Sequence, residues 1–180
     1  MSLASDTMER LLQLDTSLCI RCNRIHRHRA LVALLRLCSR LGDGLFWYTL
    51  MLILPLAAGW QGLLASLHLS LTGILCVLVY KSLKGRTVRP RPYVNNPDIT
   101  RVMAPLDQYS FPSGHTLHAV AFTLISLAHY PGLWSLLVPF TALVALSRPA
   151  LGLHYPSDVL AGAAAGAIIA GINLLLWNTL

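Results

Sequence analysis

Charge is scarce in this chain of 180 residues: 12% are Asp, Glu, Lys or Arg, and only 7 residues are acidic. None of these four types occurs in residues 45–80, in 116–147 or after Asp158. A soluble domain needs charge spread over its surface, so uncharged stretches this long exclude an ordinary soluble fold and point to a bilayer. Cysteine is also sparse, with 4 in the chain. Cys76 sits in an apolar run and reads as a small core residue. Cys19 and Cys22 form a Cys-x-x-Cys pair near His26 and His28, but the spacing to those histidines is too tight for a zinc finger. The pair therefore reads as two small residues on a helix, and no disulfide pairing is indicated. The first residues show no basic segment leading into an apolar core and a small-residue cleavage site. The apolar spans themselves are expected to direct insertion.

What is present is apolar and basic. Hydrophobic residues make up 55%, and 14 basic against 7 acidic residues give a net charge of +7. The basic residues flank apolar stretches, which favours anionic lipid head groups over nucleic acid as partners. Leu11, Leu12, Leu14 and Leu18 recur at helical spacing, with Arg10, Asp15, Arg21 and Arg24 on the other face. This predicts an amphipathic helix lying in the membrane interface. Residues 30–41 repeat the pattern with Arg36 and Arg40. Roughly 12 residues make about 18 Å of helix, short of a ~30 Å hydrocarbon core, so a second interfacial helix is expected there. Gly42-Asp43-Gly44 breaks it.

Five apolar runs follow, at 44–60, 62–83, 113–130, 132–148 and 157–177. Each is about 17 to 22 residues long, enough to span. Gln61 and Pro131 leave minimal linkers, so the flanking helices form antiparallel hairpins. Trp47, Tyr48, Trp60, Tyr80, Tyr130, Trp134 and Trp177 cluster near run ends, as interfacial aromatic belts do. The expected fold is all-α: a polytopic membrane bundle of five spanning helices, six if residues 30–41 cross. It forms one domain over 1–180, with an interfacial region at 1–43 and a transmembrane core at 44–180. Gly162, Gly166 and Gly171 permit close helix approach; packing within the chain is the first use expected of them, a homodimer through Gly162 and Gly166 the second. The long loop 84–112 is rich in proline and cations, and long loops in compact domains are usually functional. By parity it lies on the same side of the membrane as 148–158.

Three motifs meet on that side. Lys84 precedes Arg91-Pro92 by six intervening residues; Pro112-Ser113-Gly114-His115 opens a helix; Ser147-Arg148 is followed after five residues by His154 and after three more by Asp158. Lys84, Arg91 and Arg148 can neutralise charge on phosphate oxygens, which is most of what phosphoryl transfer requires. Pro90 and Pro92 stiffen the chain around Arg91. Ser113 is a good N-cap and Gly114 lets backbone approach a ligand, so the free N–H groups there form an anion cradle. A carboxylate at Asp158 can fix the tautomer of His154 and free its other nitrogen for attack. Pro149 is expected to end the fourth span at Arg148. Lys81, Arg86, Arg89 and Arg101 hold no motif position and read as solvated or lipid-facing. His118 and His129 read as packed or interfacial histidines, with His118 one turn from His115.

These motifs resemble the signature of the type 2 phosphatidic acid phosphatase superfamily, which includes lipid phosphatases, glucose-6-phosphatase and vanadium haloperoxidases. The resemblance covers Lys84 to Asp158 without a departure at a signature position. It implies that His154 is the nucleophile forming a phosphohistidine, with Asp158 as its orienting partner. It further implies that His115 protonates the leaving oxygen and then activates water. Lys84, Arg91, Ser113, Gly114 and Arg148 would bind the phosphate, with no metal and no cofactor. The implied activity is hydrolysis of a lipid phosphate or diphosphate, with undecaprenyl diphosphate, phosphatidylglycerophosphate and phosphatidate as candidates. A phosphotransferase using the same histidine, a vanadate-type haloperoxidase and a non-catalytic lipid-binding protein are the alternatives. A bacterial-type inner membrane is implied. Family precedent faces the site outward, whereas five spans and the positive-inside rule would face it to the cytoplasm.

Overall fold

The computed structural model describes residues 3–177 and Thr179, and among them there is no strand. The helices are α1 (Leu3–Asn23), α2 (Arg29–Arg40), α3 (Phe46–Thr87), the single turn α4 (Pro92–Asn95), α5 (Gly114–His129), α6 (Trp134–Ala150) and α7 (Pro156–Trp177). Among the described residues, three stretches are long and apolar enough to cross a membrane: Arg29–Asn95, Pro131–Ala150 and Pro156–Trp177.

α3 is two antiparallel arms joined by a reversal. Gly59 has φ +55° and ψ −129°, a conformation open to glycine and closed to side chains. Beyond it the chain runs back along itself. The Ser66 hydroxyl donates to the Met51 carbonyl at 2.7 Å. A Cβ on Gly62 would lie 1.9 Å from the Leu54 carbonyl oxygen, so the arms touch there. The break falls at Gly59 rather than the expected Gln61, because glycine alone reaches this geometry without strain.

α2 differs from the expectation of a separate surface helix. It passes through a wide turn at Leu41–Leu45, kinked at Gly44 (φ +130°), directly into α3. The combined path runs antiparallel to α6. Leu35 clusters with Ala150, Ser39 accepts from Arg148 Nη1, Gly42 abuts Val144 and Phe46 stacks on Phe140 at 4.0 Å. Twelve residues are too few to cross alone, but they need not act alone when the helix continues.

α5 lies at the centre and packs on α3, α6 and α7. Leu117, Ala121 and Ile125 are wholly buried. Gly162 and Gly166 face it: a Cβ there would come within 2.5 Å of the Ser113 carbonyl oxygen and 2.3 Å of the Leu117 carbonyl oxygen. Their seam is thus filled by a helix of the same chain. α6 continues two residues past Arg148, through Pro149 to Ala150, and the Leu151 N–H closes the last turn on Ser147 O. α3 likewise runs on to Thr87, so Lys84 projects from a helix and not from a loop.

Candidate active site

The three motifs converge where the C-terminal ends of α3 and α6 meet the N-terminal ends of α5 and α7. Each approach has a local cause. α3 stops at Val88, whose left-handed φ of +44° is costly for a β-branched residue and turns the chain sharply. The following Arg89-Pro90-Arg91 segment is then pinned by Ser110, whose N–H donates to Arg89 O at 2.8 Å and whose hydroxyl donates to Pro90 O at 3.1 Å. Ser113 caps α5: its Oγ lies 3.0 Å from Thr116 Oγ1 and accepts from Thr116 N–H. Its own N–H donates to Asp158 O, tying α5 to α7. A Cβ on Gly114 would meet the Tyr80 ring at 3.3 Å, so glycine lets α3 and α5 close together here.

His154 is 2% exposed. Its Nδ1–H donates to the Ser110 carbonyl at 2.6 Å, which leaves Nε2 unprotonated and turned toward Arg91 Nη1, 3.4 Å away. Burial holds this imidazole well below the usual histidine range, and the neighbouring Arg148, Arg91, Lys84 and His115 add to the effect. It is therefore a neutral base with a free lone pair. Asp158 Oδ2 lies 3.7 Å from Nδ1. That oxygen accepts the Tyr155 N–H at 2.8 Å, so the direct acceptor for the ring is the Ser110 carbonyl and the carboxylate acts from one step further away.

Arg91 and Arg148 are buried with His154. Arg148 donates to Ser39 through Nη1, while its buried Nε has no partner among the described residues. Lys84 and Arg91 are both engaged by Asp107, at 2.5 and 2.7 Å. Burial pushes the Asp107 carboxyl up, but the two cations outweigh it and hold it below its ordinary range. A carboxylate thus sits on two of the cations expected to take phosphate oxygens. His115 contacts the Asp43 carboxylate through Nε2. His118 turns its Nδ1 back to Gly114 O at 2.8 Å.

Lys84, Arg91, Arg148, His115 and His154 line one end of a cavity of about 600 Å³. Its other end runs between the two arms of α3 and the flank of α5, where Met51, Ile74, Val77, Leu78 and Phe122 line it. A phosphate-sized polar head and an apolar tail fit this division.

Four contributors have no place in the motifs: Asp107, Asp43, the Ser110 carbonyl and Arg89. Arg89 is neither solvated nor lipid-facing. It bonds Asp158 Oδ1 at 2.6 Å and Asp15 Oδ2 at 2.7 Å, and lies over the Tyr155 ring at 4.1 Å. Cys19 is buried, with its thiol 3.6 Å from His154 O and raised to about 12 by burial, whereas Cys22 is exposed.

The model of the PAP2 superfamily matches residues 63–180. Among curated proteins, the chain is 40% identical over 84 residues to a decaprenylphosphoryl-5-phosphoribose phosphatase of Mycobacterium tuberculosis, covering 47% of this chain and 45% of that one. It is 33% identical over 114 residues to the undecaprenyl-diphosphatase BcrC of Bacillus subtilis, covering 63% and 58%. The chain thus spans about half the length of the curated relatives it matches. Among solved structures it resembles Aquifex aeolicus LpxE, with a TM-score of 0.75 and 28% identity over 88% of this chain and 93% of that one. The same TM-score of 0.75 relates its fold, at 24% identity, to a transmembrane PAP2-type phosphatidylglycerolphosphate phosphatase of Bacillus subtilis, over 95% and 88%. With the motif residues gathered at one site and the family model matching from the second arm of α3 onward, the chain belongs to the PAP2 superfamily.

Proposed function

We propose that this protein is a membrane-embedded phosphatase that hydrolyses a lipid phosphate or diphosphate through a phosphohistidine on His154. The observation that carries this reading is the neutral Nε2 of His154, set among Arg91, Arg148 and Lys84 at the polar end of a cavity whose other end is apolar. Relatives named as phosphatases of polyprenyl-linked substrates support the substrate class.

Nε2 attacks phosphorus and the bond from phosphorus to the lipid oxygen breaks. The leaving oxygen takes a proton from His115. Water, giving its proton back to His115, then attacks the phosphohistidine, releasing phosphate and restoring neutral His154. The charge on the equatorial oxygens is met by Lys84, Arg91 and Arg148, with the N-terminus of α5 at Ser113 and Gly114 adding backbone N–H groups. These cations can supply the stabilisation that a metal provides elsewhere, so turnover is expected to persist in chelator.

The membrane we propose is a bacterial-type inner membrane, with the site facing outward as in the family. Anionic head groups are the proposed partners of the arginines on α1 and α2.

Phosphate release in detergent with EDTA present is the test. Undecaprenyl diphosphate, phosphatidylglycerophosphate and phosphatidate are compared, with His154→Ala as the blank. Release that is absent in the variant supports the reading. Unchanged release in the variant would remove His154 from the nucleophile role, and a phosphorylated acceptor in place of free phosphate would make the protein a transferase.

A further inference from the structure

α1 carries one of its acidic residues, Asp15, on the side that docks against the rest of the protein. Leu11, Leu12, Leu14 and Leu18 are exposed, the surface that an interfacial helix turns to lipid. Asp15, Cys19 and Asn23, spaced by four, form one stripe along the helix and are buried against the site loops. Asn23 ties the end of α1 to Thr100 O and Ala150 O, both at 3.0 Å. Asp15 does more than dock. Its Oδ1 accepts the Ser157 N–H at 2.9 Å, at the first turn of α7. Its Oδ2 accepts the Ser157 hydroxyl and Arg89 Nη2. The other terminal nitrogen of Arg89 donates to Asp158 Oδ1 and to Ser157 Oγ. One guanidinium is therefore divided between a carboxylate of α1 and the carboxylate beside His154.

We propose that Asp15 and Arg89 are positioning residues for His154: Asp15 holds part of the charge of Arg89, and so leaves part of the negative charge of Asp158 for the imidazole. This inference rests on His154 being the nucleophile. When Nε2 bonds to phosphorus, positive charge develops on the ring, and a buried carboxylate 3.7 Å from Nδ1 stabilises it. Two carboxylates sharing one cation keep a net negative charge in that corner. Without Asp15 the whole guanidinium charge falls on Asp158, and the ring loses that support. The other groups facing His154 are Lys84 on α3, Arg91 and Asp107 after it, His115 on α5 and Arg148 on α6, all unchanged by a substitution at position 15. Cys19 and Tyr155 face Asp158 and stay neutral, their protons held by burial.

The experiment compares wild type, Asp15→Asn and Arg89→Lys in detergent, reading kcat and KM against pH and the titration of ring-labelled histidine by NMR. Asp15→Asn keeps the shape and removes the charge. It should lower kcat by about tenfold with KM within about twofold, and it should move the acid limb of the profile and the His154 titration to lower pH. Arg89→Lys keeps the cation but loses the fork that serves two carboxylates, and its kcat should also fall. An unmoved limb and an unmoved His154 titration in Asp15→Asn would overturn the proposal even if kcat fell, because a merely structural role lowers the active fraction without displacing either. If Asp15→Asn does not fold, wild-type kcat in Arg89→Lys would overturn it. A wild type without turnover would instead count against the phosphatase reading, and the NMR titration would still decide this one.

Discussion

Arg91 stands against the unprotonated nitrogen of His154: Nη1 and Nε2 are 3.4 Å apart. A guanidinium cannot be deprotonated at any ordinary pH, so this contact is only comfortable with a neutral ring. The cost of protonating His154 is thus built into its surroundings.

The pH dependence follows. In the proposed mechanism His154 reacts only when neutral, and burial with nearby cations holds it well below the usual range. The acid limb of kcat/KM should lie below about pH 6.5, the value for a free histidine. Stability carries the same sign. Above that pH both folded and unfolded chains hold a neutral ring and the group contributes nothing. Below it the unfolded chain takes up a proton that the folded site refuses, so stability falls as pH falls. Thermal unfolding in detergent across pH 5 to 8 would show the loss on the acid side, and a rise there would contradict the neutral assignment.

Asp107 occupies Lys84 and Arg91 in the structure, so under the proposed function an incoming phosphate would compete with a carboxylate for the same two cations. Asp107→Asn should tighten competitive inhibition by inorganic phosphate by about tenfold, equivalent to about 1.4 kcal/mol. Weaker inhibition would mean that Asp107 orders the cations for phosphate instead of excluding it.

Gly166 and Gly171 lie on one helix and differ in what surrounds them. A Cβ at 166 would press within 2.3 Å of backbone on α5, while one at 171 meets nothing within 4 Å. Gly166→Ala should cost about 1–3 kcal/mol by forcing α5 and α7 apart. Gly171→Ala should be neutral or stabilise by up to about 1 kcal/mol through helix propensity. Melting temperatures of the two variants decide it, and equal effects would refute the close packing.

Cys22 is the exposed cysteine of the four, the others being buried. It lies on α1, whose buried face packs on the site loops, so it marks the side of the membrane on which the site sits. A membrane-impermeant maleimide on intact cells should label it if the site faces outward. Labelling only after lysis would place the site in the cytoplasm.

Much of the site was legible because its chemistry is written in short, ordered spacings. The segments around Lys84, Ser113 and His154 each fix a side chain relative to a helix end, and helix ends are readable locally. Asp107 and Asp43 belong to no spacing; their partners are reached only through tertiary contact. A weak signal existed for Asp107. The loop 84–112 holds five cations and only two carboxylates, Asp98 and Asp107, and cations buried together call for an anion nearby. Arg89 gave no such signal, because its partners lie on α1 and α7. The helix expected over 30–41 is present at Arg29–Arg40, but its continuation past Gly44 was not visible, since a glycine that kinks a helix and one that ends it look alike in sequence.

The reversal at Gly59 bears on how an occupant could be accommodated. The two arms of α3 are stapled at their far end, where Gly62 meets Leu54 and Ser66 bonds Met51. Toward the site they diverge around the cavity. The slot is a wedge closed at its apex by these two contacts. Under the proposed function, a lipid chain entering it would meet that closed apex, and its remainder would have to leave sideways into the bilayer. Tail length beyond the apex would then be invisible to the protein, which would measure the head and the first segment of whatever lipid it holds.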